Sequence, residues 1–65
     1  MRFDIPDMTC GHCVKTVTKA VQSIDPDATV QADLAAHVIT VASNADAARL
    51  STAISAAGYE NTERP

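Results

Sequence analysis

The sequence has no tryptophan, one phenylalanine and one tyrosine, so neither its core nor its surface can rest on aromatic rings. Proteins that hold single-stranded nucleic acid stack bases on such rings, and any phosphate backbone demands a surplus of Lys and Arg. Here 5 basic residues stand against 8 acidic ones, for a formal net charge of −3, and nucleic acid is not an expected partner. Glycine is scarce as well, with 2 in 65 residues, and no phosphate-cradling loop can be built from them. No apolar run is long enough to cross a bilayer, and the opening MRFDIPDMTC lacks the apolar stretch of a signal peptide. The expected setting is therefore the cytoplasm without membrane insertion, where the 2 cysteines stay reduced and a structural disulfide is not anticipated. No nucleophile–base pair or second constellation marks an active site, so an enzyme is not expected.

What remains is an ordinary globular composition, 46% hydrophobic and 20% charged. The length suits a single domain over residues 1–65, near the lower limit at which a core supports itself. That core must come from Val, Ile, Leu and Ala.

The stretch RFDI alternates, with Phe3 and Ile5 on one face, and reads as a short strand ended by Pro6 and Asp7. From Gly11 to about Ile24 the apolar residues Cys13, Val14, Val17, Ala20, Val21 and Ile24 fall three and four apart, the stripe of an amphipathic helix. Its β-branched content makes it a mediocre helix in isolation, so packing must hold it. Pro26 stops it at Asp25. Ala28, Val30, Ala32 and Leu34 alternate as a second strand, and HVITVAS forms a third with Ile39 and Val41 inward. The link around Leu34 to His37 is short enough for a hairpin, in which His37 is read as a turn residue. NADAARLSTAISAAGY is a second helix, capped by Asn44 or Asp46, burying Ala47, Leu50, Ile54 and Ala57, and stopped by Gly58. YENTERP offers a brief edge strand at best. The order β-α-β-β-α-β predicts an α+β fold, a ferredoxin-like two-layer sandwich on an antiparallel sheet, its last strand short or frayed.

Chemistry concentrates in DMTCGHC, Asp7 to Cys13. Cys10 falls in the loop and Cys13 in the first helical turn, where free N–H groups and the positive helix end favour a thiolate. Both redox chemistry and metal ligation use that thiolate. The tetrad C-G-H-C is also that of protein disulfide isomerases, but Thr9 stands where those carry Trp and no cis-proline loop is available. Cys13 could serve merely as a core residue on the apolar stripe, whereas Cys10, between Thr9 and Gly11, has no such role. Metal binding accounts for the most. Two thiolates are too few for structural zinc, which takes four protein ligands, and suit a soft ion such as Cu(I) that an incoming thiolate can remove.

The run M-T-C-G-H-C closely resembles the M-x-C-x-x-C loop of the heavy-metal-associated domain family, and the likeness extends over nearly the whole chain. That family includes small bacterial copper chaperones and the N-terminal domains of copper-transporting P-type ATPases. The resemblance implies the ferredoxin-like fold and makes Cys10 and Cys13 the metal ligands, in near-linear coordination of Cu(I), with Zn(II) or Hg(II) as alternatives. It implies that Met8 packs inward beneath the site, a thioether ligand being the other option, and that Thr9 steadies the loop near the helix start. Tyr59, after Gly58, would shield the site and tune exchange, or simply cover the core edge. His12 would face solvent, with a third-donor role as the alternative. Lys15 and Lys19, spaced i,i+4, either steer docking onto an acidic partner or form a solvated face. The implied function is a metallochaperone that passes Cu(I) to the metal-binding domain of a copper-transporting ATPase, monomeric without metal and able to form a copper-bridged dimer. The rivals are a domain of such a transporter, a mercury- or zinc-handling relative, and a thiol–disulfide oxidoreductase. Zinc-exporting relatives carry Asp before the first cysteine, where this chain has Thr9.

Overall fold

The computed structural model describes residues 1–64, and the expected order of elements is present in full. Strand β1 is Arg2–Asp4, helix α1 Gly11–Ile24, β2 Thr29–Asp33, β3 Val38–Ala42, helix α2 Ala47–Ala56 and β4 Thr62–Arg64. The four strands make one antiparallel sheet in the order β2-β3-β1-β4. Phe3 stands opposite Ile39, and Val30 opposite Val41, which sets these residues on the face that the helices cover.

Phe3, Ile5, Met8, Val17, Val21, Ile39, Leu50 and Ile54 are all fully buried, and Ala28 and Val41 complete the central cluster. The first and third strands and both helices contribute as their periods dictate: positions two apart from the strands, positions four apart from the helices. Burial of each large aliphatic side chain stabilises the fold by roughly 1.5–3 kcal/mol, which holds α1 helical despite its β-branched residues. On α1 it is Val17 and Val21 that vanish from solvent, while Cys13, Val14, Ala20 and Ile24 pack against the cluster from its margin.

One expectation needs correction. Ala32, opposite Ile39 and on the alternating face, lies exposed, and Leu34 is 38% exposed, because β2 is an edge strand that two short helices do not reach across. Val38, on the opposite face from Ile39, is buried at 5% although it stands outside the main cluster. Of the two caps foreseen for α2, Asp46 is the one used, its carboxylate accepting from Ala48 N–H at 3.0 Å.

The polar C-terminal stretch does form a strand. β4 is three residues long and wholly exposed, yet it pairs with β1 from Arg2–Arg64 to Asp4–Thr62. The Arg64–Asp4 ion pair at 3.1 Å is half-exposed and adds at most about 1 kcal/mol.

Candidate metal centre

The loop between β1 and α1 begins with a tight turn. Pro6 and Asp7 are its central residues, and Met8 N–H donates to the Ile5 carbonyl at 3.0 Å. The chain thereby turns so that the Met8 side chain enters the core with no exposure. Met8 thus belongs to the buried core cluster.

Helix α1 starts immediately afterwards. Its N-cap is Cys10, in an extended conformation, with no side-chain cap; the expected steadying role of Thr9 at the helix start is not the one seen. A helix whose first turn lacks a capping side chain presents free N–H groups to whatever anion approaches. Cys10 is exposed and Cys13 half-buried, both as free thiols, and their sulfurs stand 3.3 Å apart.

The environment acidifies Cys13. Its pKa is lowered from 9.0 to about 7, first by the Tyr59 hydroxyl as hydrogen-bond donor, then by the Thr9 backbone and by Cys10. The same interaction with Cys13 raises the pKa of Tyr59, so the phenol keeps its proton and remains a donor. Tyr59 reaches this position through the end of α2. Gly58 takes φ 98°, Gly58 N–H donates to Ser55 carbonyl at 3.0 Å and Tyr59 N–H to Ile54 carbonyl at 3.3 Å, the paired bonds of a Schellman stop.

Two residues outside the sequence motif also support the site. Asn61 accepts from Ser51 Oγ at 2.5 Å and directs its amide at the Ser51 carbonyl, Ser55 Oγ and the Tyr59 carbonyl, at 3.0–3.2 Å. It ties the segment that carries Tyr59 to α2. His37, from the far hairpin, places Nδ1 3.0 Å from the Met8 carbonyl. Nothing in the local sequence signals the role of His37, which depends on a contact 29 residues away in the chain. His12 is exposed, as are Lys15 and Lys19. Among the described residues no three His, Cys, Asp or Glu side chains converge, so the arrangement is a two-sulfur open site rather than a closed cage.

An α+β sandwich with paired thiols on the loop before its first helix defines a class of small soft-metal-handling domains. Residues 2–60 match the heavy-metal-associated domain family, and the chain belongs to it. It is similar in structure to the copper chaperone Atx1 from Synechocystis in a trimeric copper form, with 42% identity, 95% of this chain and 98% of that one covered, and a TM-score of 0.92. A gold-binding protein is 39% identical over 98% of both chains, with a TM-score of 0.93. A cyanobacterial copper metallochaperone is 40% identical over 95% of this chain and 97% of that one, with a TM-score of 0.77. No curated protein sequence matches.

Proposed function

We propose that this protein is a metallochaperone that binds Cu(I) between the thiolates of Cys10 and Cys13 and surrenders it by ligand exchange. The observation that carries this reading is the pair of free sulfurs 3.3 Å apart, one exposed, at the uncapped start of α1. Thiolates select soft ions, and two of them satisfy a cation that accepts low coordination. The similar proteins are described as handling copper and, in one case, gold, both of which take soft ligands.

Metal–sulfur bonds of roughly 2.3 Å, the length zinc thiolates show, put linear partners about 4.6 Å apart. The sulfurs must therefore separate by about 1.3 Å from their present 3.3 Å, and the exposed Cys10 is free to turn outward. Such a site is open on one side. A thiolate of a partner attacks the bound ion, a third sulfur–metal bond forms, and the bond to Cys10 or Cys13 then breaks, so the cargo moves without ever being free. No electron is transferred and no bond of the protein is broken. Tyr59, as a neutral donor beside Cys13, stabilises the sulfur as it regains charge.

The partner that fits is the metal-binding domain of a copper-transporting ATPase with its own thiol pair. Lys15 and Lys19, exposed on the helix that carries Cys13, give a locally basic docking face on a chain of net charge −3 and favour an acidic partner surface. A second copy of the chain can supply the same thiolates, and relatives are described in trimeric and side-to-side forms. No helix is long and apolar enough to cross a membrane among the described residues.

Anaerobic titration with Cu(I) against a chromophoric chelator tests the reading. One ion binds per chain, and both Cys10→Ser and Cys13→Ser abolish tight binding. Undiminished binding in either variant defeats the two-thiolate site. Competition with Zn(II) and Hg(II) in the same assay fixes the cargo; preference for Zn(II) would contradict the copper assignment.

A further inference from the structure

His37 closes the β2–β3 hairpin with φ 57°, a left-handed conformation in which no other non-glycine residue is found among the described residues. Gly or Asn is the ordinary occupant of such a position, since a Cβ there crowds the backbone. Histidine, with Asn and Asp, is among the few side chains that enter this region readily, and here its ring is not left in solvent. The ring is half-buried, with Nδ1 3.0 Å from the carbonyl of Met8, 29 residues earlier in the chain. A carbonyl only accepts, so Nδ1 carries the proton and donates. The backbone carbonyl of His37 meanwhile accepts from Ile5 N–H at 2.7 Å. Ile5 and Met8 are the two ends of the Pro6–Asp7 turn, closed on itself by the Met8 N–H bond to Ile5. One residue of the hairpin thus grips both ends of the turn that launches the thiol loop.

We infer that His37 is a positioning residue for the thiol pair, clamping the start of the loop through the Met8 carbonyl so that Cys10 stays opposite Cys13. This rests on the reading of Cys10 and Cys13 as the ligands. The Met8 side chain is held from below by the core and its carbonyl from the side by the imidazole, which leaves Thr9 and Cys10 as the short free span. Without the clamp the loop spends time in arrangements where Cys10 no longer faces Cys13. Apparent affinity for a metal then falls in proportion to the competent fraction.

Two substitutions separate clamping from a role confined to the hairpin. His37→Gly removes the ring, yet it suits φ 57° and keeps the carbonyl that Ile5 uses, so the hairpin survives. His37→Asn also tolerates the left-handed conformation, and its Nδ2 lies the same number of bonds from Cα as the imidazole Nδ1. Under anaerobic chelator competition, His37→Gly is expected to bind Cu(I) about fivefold more weakly, the weight of one neutral hydrogen bond. His37→Asn is expected to stay within about twofold of the parent because the donor is retained. Amide hydrogen exchange at Met8, whose N–H closes the turn on Ile5, should quicken in the metal-free glycine variant and not in the asparagine variant. Parental affinity and exchange in His37→Gly would overturn the clamp, as would an asparagine variant no better than the glycine one. Undiminished binding in Cys10→Ser or Cys13→Ser would overturn the ligand assignment instead, so the two failures are distinguishable.

Discussion

At Cys13 the thiol is held near neutrality, with a pKa of about 7, chiefly by the hydroxyl of Tyr59. A metal ion displaces a proton from each thiol it binds, so a lowered pKa makes the thiolate available at neutral pH without competition from protons. The sign follows directly. Above about 7 Cys13 is mostly thiolate; below it, metal must compete with a proton for that sulfur. In the metal-free protein, the rate of Cys13 alkylation by iodoacetamide should therefore rise with a midpoint near 7 in a Cys10→Ser background. Replacing Tyr59 by Phe removes the first of the stabilising donors and should move that midpoint upward, toward the ordinary thiol value of about 8.5. A midpoint that stays in place would show that the Thr9 backbone and residue 10 hold the thiol down without the phenol.

The elements matter here mostly through their ends. α1 begins on a cysteine where a Ser or Asp would ordinarily cap it, which exchanges some helix stability for exposed N–H groups beside the sulfurs. α2 ends on Gly58 at φ 98°, and the next residue is the tyrosine that faces Cys13. There is open space around Gly58 where a Cβ would go, so only the backbone conformation opposes a side chain. Gly58→Ala should accordingly destabilise the fold by roughly 1 kcal/mol, through left-handed strain alone. In a domain of this size that lowers Tm by roughly 4–8 °C, read by thermal melting. If Ala were accepted without loss, the Schellman stop would not be what carries Tyr59 back to the loop.

For the molecule as a whole, the thiol loop and its opposite end are built differently. At the thiol end a buried methionine, a histidine clamp and a tyrosine from three separate segments converge on an exposed and a half-buried cysteine. The far end is pinned by Asp25, which ends α1, accepts from Ser43 Oγ at 2.5 Å and from Asp27 N–H at 3.0 Å, and joins the α1–β2 turn to the segment before α2. Ser43 is the principal cause that holds the Asp25 carboxyl below its ordinary pKa. A carboxylate with a depressed folded-state pKa stabilises the fold above the unfolded value and loses that contribution as pH falls through the folded one. Ser43→Ala should thus lower Tm at neutral pH, and the gap from the parent should narrow as the solution is taken to pH 3 and below. A gap that is the same at both pH values would mean that the serine acts by packing and not through the charge of Asp25.

Periodicity along the chain was enough to place both helices, the first three strands and most of the core, because Phe3, Ile39, Val41, Val17, Val21, Leu50 and Ile54 repeat at the spacing that one buried face imposes. The cysteine pair and its position before α1 were likewise legible, since C-x-x-C at a helix start is a local arrangement. Ala32 and Leu34 misled the pattern because alternation marks a face but cannot report whether a helix extends far enough to cover it. β4 is polar and three residues long, and it exists because β1 offers it a free edge rather than through any signal of its own. The roles of His37 and the Tyr59 hydroxyl were settled only in three dimensions. Each acts on a group that chain folding, not chain order, brings within a hydrogen bond's reach, and no local rule of sequence encodes such a meeting.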